Sequence, residues 1–365
     1  MINQIEINLA DHSYSIIIAD DDFEALTRKL KQLNLGSDAI IITNARIRSI
    51  YAKKLQQALK TIKTSAHFFN VPDSEKSKSI SEYVKIISKI SAIDTKKRLF
   101  LIALGGGVVG DLTGFIAATY KRGIPYIQIP TTLLAQVDSA IGGKTALDLP
   151  SGKNLIGAFY QPKLVYSNVN LIKSLPPRQL RCGLAEVVKY GIIADEKLFR
   201  YIEKSYKAIL GLDNSCLGYI IKACSLIKAN IVENDEKETT GLRTILNFGH
   251  TIGHALENAA GYSNLNHGEA ISIGMVCSAE IAHLLGILPQ EELLRIIRLL
   301  NMLHLPQEAK KSDLKAVLGA FFRDKKFING RIRMVVPSRI GHVFVTENIP
   351  FNLIKKVIQK RIARK

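Results

Sequence analysis

The chain is poor in acids, in cysteine and in long apolar runs. Its 365 residues carry 32 Asp and Glu against 50 Lys and Arg, a formal net charge of +18. The four cysteines, Cys182, Cys216, Cys224 and Cys277, form no CxxC pair and no regular spacing. That suits a reducing cytosol in which thiols serve as small core residues. No stretch of about 18 apolar residues runs free of charge, so a transmembrane helix is not expected. The most apolar window, Ile271 to Leu288, is broken by Glu280 and His283. The opening MINQIEINLADHSYS has no basic start followed by an apolar core, so no signal peptide is expected. Internal repeats and low-complexity segments are absent. What is present is a 47% hydrophobic share, which excludes a disordered chain.

An excess of positive charge can mean nucleic acid, an acidic membrane or a phosphorylated substrate. Here the basic residues are scattered, and only the tail, Lys355 to Lys365, is clustered. It reads as an amphipathic end helix with a solvated basic face. Neither aromatic interleaving nor a known nucleic-acid module is visible, so no nucleic-acid partner is expected.

The length favours two domains. Two runs, Gln4–Leu9 and Tyr14–Ala19, read as a hairpin across the polar Asp11-His12-Ser13 turn. Helical spacing over Asp21–Leu33 follows, then the bare apolar run Ala39–Thr43, the mark of a strand buried on both faces. Helices at Ile47–Leu59 and Ser79–Ile93 alternate with strands at Ala66–Val71 and Leu99–Leu104. A glycine turn, a helix over Val108–Tyr120 and a strand at Tyr126–Pro130 complete the series. Repeated βα units predict a mostly parallel sheet with helices on both sides. Past Pro176-Pro177 nearly every segment to about Phe322 has helical period. Strand-like pieces return only at Arg331–Val336 and His342–Val345. The expected division is therefore an α/β domain over 1–176 and a mainly α-helical domain over 177–365. A ligand is expected in the cleft between them, at the C-terminal ends of the strands.

Three motifs carry chemistry. In the first, a buried strand runs into Gly105-Gly106-Gly107 and a helix start, through Val108-Val109-Gly110-Asp111. Glycines let the backbone approach a phosphate, and the helix start offers free N–H groups and a positive dipole end. In the second, Gly142-Gly143-Lys144-Thr145 resembles the end of a P-loop, but position 138 is Asp and the spacing fails. Two lysines among glycines, Lys144 and Lys153, near Thr131, Thr132 and Asp138, suit an anionic ligand. The third is a histidine group. His250 and His254 stand four apart, on one face if helical, and His267 follows thirteen residues later. Together they suggest a metal site. The absence of HExxH disfavours a zincin protease. Glu186 lies with Lys189 in the apolar Gly183-Leu184-Ala185-Glu186-Val187-Val188-Lys189 segment. Its apolar neighbours make a buried ligand role plausible over a surface salt bridge. These parts alone point to a metal-assisted, dehydrogenase-like enzyme with an anionic substrate.

Taken in order, the series GGGVVGDLTGF (105–115), YKRG (120–123), PTTLLAQVDS (130–139), GGKT (142–145), GKNLIG (152–157), GLAEVVKYG (183–191), LNFGHTIGHA (246–255) and HGEA (267–270) resembles the 3-dehydroquinate synthases, within the sugar phosphate cyclases. The likeness spans about residues 40 to 337. It implies a Rossmann-like nucleotide-binding domain followed by a helical metal-binding domain. The implied reaction takes 3-deoxy-D-arabino-heptulosonate 7-phosphate, a phosphorylated C7 keto acid sugar, to 3-dehydroquinate and phosphate in the shikimate pathway. The implied cofactors are NAD, used and regenerated, and a divalent metal, zinc or cobalt. A cytoplasmic homodimer is implied as well.

Carried over by position, the resemblance gives Glu186, His250 and His267 as metal ligands. His254 is then left as a proton-transfer residue, in place of the reading in which both histidines of the HxxxH pair bind metal. NAD is assigned to Gly105, Gly106, Gly107, Val108, Val109, Gly110 and Asp111, with Asp73, Glu75 and Lys78 toward the adenosine. Thr131, Thr132, Lys144, Lys153 and the stretch Leu171, Ile172, Lys173, Ser174 complete that site. Arg122, Lys144, Asn154, Lys189, Lys228, Arg243 and Lys325 would meet the substrate's carboxylate and phosphate. Asp138 and Asn247 would hold its hydroxyls. Asn44 stands where many members carry Asp at the cofactor ribose. An extra residue within Glu238-Thr239-Thr240-Gly241 loosens the assignment of Lys228, and Lys326 competes with Lys325. The alternatives are another sugar phosphate cyclase, or a metal-dependent alcohol dehydrogenase of related fold.

Overall fold

The computed structural model describes the chain except for residues 1, 95–97, 261–264, 310–311, 324–326, 329–330 and 363–365. The strands are β1 (Asn3–Ile7), β2 (Tyr14–Ala19), β3 (Asp38–Asn44), β4 (Ser65–Val71), β5 (Leu99–Gly105), β6 (Tyr126–Pro130), β7 (Lys144–Leu149), β8 (Gly152–Phe159), β9 (Leu164–Asn168), β10 (Phe327–Ile328), β11 (Arg331–Ile332), β12 (Met334–Arg339) and β13 (His342–Thr346). The helices are α1 (Glu24–Leu33), α2 (Ala45–Thr61), α3 (Ile80–Ile93), α4 (Gly107–Thr119), α5 (Pro177–Ala194), α6 (Glu196–Leu210), α7 (Asn214–Asn234), α8 (His250–Ala259), α9 (His267–Leu284), α10 (Gln290–Met302), α11 (Leu314–Arg323) and α12 (Phe351–Arg361).

The chain packs as two units, Met1–Leu175 with Leu217–Lys237, and Pro176–Cys216 with Glu238–Lys365. The expected division at 176/177 therefore needs one correction, because most of α7 belongs with the first unit. Leu217–Lys237 groups with that unit, with Leu217, Ile220, Ile221, Cys224 and Val232 buried, and Glu233 accepts from the Asn8 backbone N–H at 2.6 Å. By length and composition α7 could cross a membrane, but 56% of that apolar window is buried within the protein. It is a core helix that carries Lys222 and Lys228.

The first unit is built on a seven-stranded sheet of order β1-β2-β9-β6-β5-β3-β4. All its pairings are parallel except β1 with β2. The bare apolar runs follow from burial on both faces. Ala39, Ile41, Phe100, Ile102 and Leu104 pack with α1 and α2, while Ile40, Ile42, Leu99, Leu101 and Ala103 pack with α3 and α4. Period-two alternation thus survives although neither face is polar. From β3 the chain crosses to β4 on one side and then returns to β5 on the other. The strand order reverses between β3 and β5, and a ligand crevice is expected there, at the strands' carboxyl ends. Asn44 and Gly105 close those two strands. The β7–β8 hairpin and β9 are strands that the sequence patterning does not reveal.

The second unit is mainly helical, as expected, with β12 and β13 forming an antiparallel pair. Its closing helix is fixed electrostatically. Glu280 of α9, 6% exposed, accepts from Arg361 Nε at 3.0 Å and also from Lys360. Burial pushes the Glu280 carboxyl up, but the hydrogen bonds from Lys360 and Arg361 outweigh it and hold it below the usual carboxylate range. A carboxylate depressed in the folded state contributes stability above its unfolded pKa of about 4.3, lost as pH falls through the lower folded value. Glu280→Gln is therefore expected to cost about 3 kcal/mol at pH 7, by stranding Arg361. Thermal melts should show the gap from the parent narrowing as pH falls below the unfolded carboxylate value of about 4.3.

Candidate active site

In the first unit, β5 ends in the glycine turn and α4 begins at Gly107. A Cβ on Gly107 would lie 2.8 Å from Ser139 Oγ, and one on Gly106 would lie 3.0 Å from Thr132 Cγ2. A side chain at either position would have to displace Ser139 or Thr132, and glycine leaves the backbone exposed at the turn. Gly106 caps α4 without a side-chain hydrogen bond, and no acid sits in the first turn. The free N–H groups and the helix dipole suit a pyrophosphate. The Thr131 N–H donates to Gly105 O at 2.9 Å, and Thr132 Oγ1 accepts from the Ala135 N–H at 3.1 Å. Both threonines thus brace the turn. At the end of β3, Asn44 caps α2 by accepting from the Ile47 N–H at 2.8 Å, and its amide donates to Asp73 Oδ1 at 2.8 Å. The departure from Asp is thereby explained locally: an amide can donate to Asp73 where a second carboxylate would repel it. Leu171 and Ile172 are buried. The Ser174 carbonyl accepts from Arg46 Nη2 at 2.8 Å, which holds Lys173 and its neighbours beside the start of α2.

Lys78, 4% exposed, is the hub of a charged group. It donates to Asp111 Oδ2 at 2.7 Å and to the Asn154 side-chain oxygen, and Glu75 and Asp148 each lie 3.8 Å away. Burial would lower the ammonium pKa, but Asp111, Glu75 and Asp148 outweigh it and raise the value. Lys153 of β8 reaches Glu75 at 3.7 Å. Asn154 has φ +56, and its N–H donates to Asp148 Oδ1 at 2.8 Å. Lys144 opens β7 after Gly142 and Gly143, both at positive φ. Lys228 of α7 donates to Asp138 twice, at 2.7 Å to the carbonyl and 2.6 Å to Oδ1. The two residues form a pair within one unit although they stand ninety positions apart in the sequence. Arg122 is exposed at the tip of a strained turn, where Lys121, Arg122 and Gly123 have φ of +50°, +67° and +126°. Asp94 accepts from Tyr120 OH at 2.8 Å and pairs with Lys121 at 2.5 Å, pinning that turn.

In the second unit, Glu186 and Lys189 lie one turn apart on α5, at 0% and 2% exposure, and form an ion pair. Two helix starts meet them. Gly249, at φ +76, caps α8, so that His250 is its first residue. Asn266 caps α9 in a capping box: the Glu269 N–H donates to Asn266 Oδ1 at 2.9 Å, and the Asn266 N–H to Glu269 Oε2 at 3.0 Å. His267 is then the first residue of α9. Arg178 of α5 clamps Glu269 in a bidentate pair, with Nε donating to Oε1 at 2.7 Å and Nη2 to Oε2 at 2.6 Å. Gly268 lets α9 touch α5, because a Cβ there would lie 2.4 Å from Cys182 O. His250 Nε2 is 3.6 Å and His267 Nε2 3.3 Å from Glu186 Oε1.

The ligand atoms of Glu186, His250 and His267 lie within 4.8 Å of one another. One carboxylate with two imidazoles is a donor set that zinc and cobalt accept, with positions left for substrate oxygens. Burial, reinforced by the Lys189 ammonium, holds the His250 pKa well below its usual value, so its ring is neutral and free to ligate. For His267 burial acts the same way, but hydrogen bonds to Glu186 and Glu257 outweigh it and lift the pKa to about 10. His254, one turn along α8 and 47% exposed, stands outside this triad with its ring 5.2 Å from that of His250. Arg243, 3% exposed, lies 3.4 Å from Glu238. It shares with Asn247 the short 3₁₀ turn Leu242–Asn247 that leads into His250. Lys325 and Lys326 lie outside the described residues. Sequence reasoning missed Glu257, although His250, His254 and Glu257 fall at i, i+4 and i+7 and so share one helix face. It also missed Asp148 and Asp94, for which local spacing gives no signal.

Comparison with known proteins follows the same order along the chain. Residues 68–182 match the family profile of the 3-dehydroquinate synthase N-terminal part, and residues 183–327 that of the C-terminal part. The curated 3-dehydroquinate synthase of Thermodesulfovibrio yellowstonii is 42% identical over 360 residues, 98% of this chain and 100% of the relative. Among solved structures, a 2-deoxy-scyllo-inosose synthase complexed with carbaglucose-6-phosphate, NAD⁺ and Co²⁺ superposes with TM-score 0.88 at 26% identity, covering 98% of this chain and 100% of that one. A 2-epi-5-epi-valiolone synthase from Streptomyces hygroscopicus, with NAD⁺ and Zn²⁺ bound, gives 0.87 at 25% identity, covering 97% and 98%. With both profiles matched in sequence order and a full-length relative at this identity, the chain belongs to the 3-dehydroquinate synthase family.

Proposed function

We propose that the chain converts 3-deoxy-D-arabino-heptulosonate 7-phosphate to 3-dehydroquinate and phosphate. The observation that carries this reading is the buried carboxylate and two imidazoles of Glu186, His250 and His267, in a chain 42% identical along its length to a curated 3-dehydroquinate synthase. When bound, NAD⁺ would supply a hydride acceptor and the metal a Lewis acid for the substrate's hydroxyls. Gly105–Gly107, the α4 start, Asp73, Glu75, Lys78, Asp111 and Asn44 would hold the dinucleotide. Glu186, His250 and His267 would hold the metal.

The protein's own groups address the rest of the difficulty. A proton beside an ordinary alcohol is not acidic, but one beside a ketone is, so transient oxidation must precede loss of phosphate. The hydride returns afterwards, and the overall change is redox-neutral. Arg122, Lys144, Asn154, Lys189, Lys228, Arg243 and Lys325 are assigned to the substrate's anionic ends, stabilising phosphate as it gains the leaving charge. Asp138 and Asn247 are assigned to its hydroxyls, and His254, half-exposed beside the metal residues, to proton transfer. The same reading makes the protein a cytoplasmic homodimer without nucleic-acid or membrane partners. Its four cysteines remain thiols, three of them buried, which supports a reducing compartment.

The test is phosphate release from the heptulosonate phosphate in the presence of NAD⁺ and Zn²⁺. Phosphate is expected without net absorbance at 340 nm. Silence with this substrate would overturn the proposal. Stoichiometric NADH would favour an alcohol dehydrogenase, and faster turnover of a sugar phosphate lacking the carboxylate would favour another cyclase.

A further inference from the structure

The two imidazoles of the metal group are each held from behind, by different means. His250 Nδ1 lies 3.0 Å from the Phe248 carbonyl, two residues back in its own chain. His267 has no such carbonyl in the hydrogen bonds described for it. Its Nδ1 lies 3.5 Å from Glu257 Oε1, while its Nε2 faces Glu186. Glu257 is 7% exposed on α8, seven residues after His250. A buried carboxylate must be paired to be tolerated, and here an imidazole ring lies against it. The helix that contributes one ligand thereby also contacts the other.

We infer that Glu257 is a positioning residue for His267: it accepts the Nδ1 proton, fixes the ring's tautomer and tilt, and leaves the Nε2 lone pair directed at the metal. This inference rests on the metal reading above and extends it to a residue outside the ligand set. The two ring nitrogens are distinct, and an acceptor on one decides which can ligate. A carboxylate behind an imidazole also raises its basicity as a ligand. Since α9 begins at His267, the ring sits where its backbone is already set by the Asn266 cap, and rotation about the side chain is the freedom left for Glu257 to remove.

Glu257 also lies 4.0 Å from His254 Nε2, and His254, Glu257 and His267 could form a metal group of their own. The experiment separates these. The metal dissociation constant of the full chain is measured by chelator competition with Zn²⁺, and the visible spectrum is recorded with Co²⁺. Glu257→Ala is expected to weaken Zn²⁺ by roughly 10- to 100-fold and to shift the Co²⁺ bands, with a cooperative thermal melt of the metal-free protein as the folding control. Glu257→Gln, whose amide oxygen still accepts from Nδ1, is expected to lose less, and it decides the matter if the alanine variant does not fold. Affinity and spectrum at parental values in the folded variants would overturn the inference. His254→Ala should keep parental affinity, and a loss matching that of Glu257→Ala would assign the metal to the alternative group and overturn it. His250→Ala separates the two levels. If it releases metal while the Glu257 variants hold it, only this inference fails; if it too holds metal, the metal reading fails with it.

Discussion

His250→Ala is expected to leave a folded protein that copurifies with little zinc and turns over roughly a thousandfold more slowly. The magnitude follows from losing about 4 kcal/mol of transition-state stabilisation from a polarising cation, at 1.4 kcal/mol per decade. Alanine leaves one carboxylate, already paired with Lys189, and one imidazole. With the third ligand gone, the Glu186–Lys189 ion pair competes for the same oxygens. The fold should tolerate the change, since His250 is the first residue of α8 and its cap comes from Gly249. NAD⁺ binding reports on the other unit and should be kept. Metal content by plasma emission, beside kcat, checks the prediction, and full zinc occupancy would show that the ligand set is wrong.

Gly268→Ala is expected to be nearly as damaging through backbone alone. Its new Cβ would stand 2.4 Å from Cys182 O and 2.5 Å from Cys182 Cα, with no flexible side chain to yield. The first turn of α9 must move away from α5, breaking the Gly268 N–H to Cys182 Sγ contact at 3.2 Å. The next residue back is His267, so the shift carries the ring away from Glu186. Overpacking of this kind costs about 3 kcal/mol. A melting point several degrees lower and weakened zinc binding should appear together. Gly319→Ala is the control. That glycine lies inside α11 with nothing within 4 Å of its added Cβ, and the change should be neutral or stabilising by up to about 1 kcal/mol.

Much of the first unit was legible because β2, β3 and β5 are short, apolar and each followed by a helix. Ala39–Thr43 reads as buried on both faces, and the sheet buries it on both faces. The glycine turn of residues 105–107 was legible because a strand precedes it and a helix follows. The hairpin β7–β8 was not. Its glycines and lysines, the residues that suit an anion, are those that disguise a strand as loop. The allegiance of α7 was hidden for another reason: helical period tells that a face is buried, never against which unit. The histidines were legible as a group but not as a candidate set with Glu186, because HxxxH spacing places His250 and His254 on one helix face, while the carboxylate grouped with His250 and His267 comes from α5, some sixty residues earlier. The resemblance, not the spacing, chose Glu186. Glu257 went unnoticed because an acid seven residues after a histidine is common on any amphipathic helix.

The excursion of α7 has a consequence for how this gene can be recombined. A chimera joined at the Pro176 boundary would take its sheet from one parent and α7 from the other. Asp138 would then meet a foreign Lys228 position, Asn8 a foreign Glu233, and Gln161 a foreign Glu236. A fission product ending at Leu175 would lack all three partners, together with the buried Leu217, Ile220, Ile221, Cys224 and Val232 of α7. Viable crossovers would have to come in sets, exchanging residues 217–237 together with the first 175.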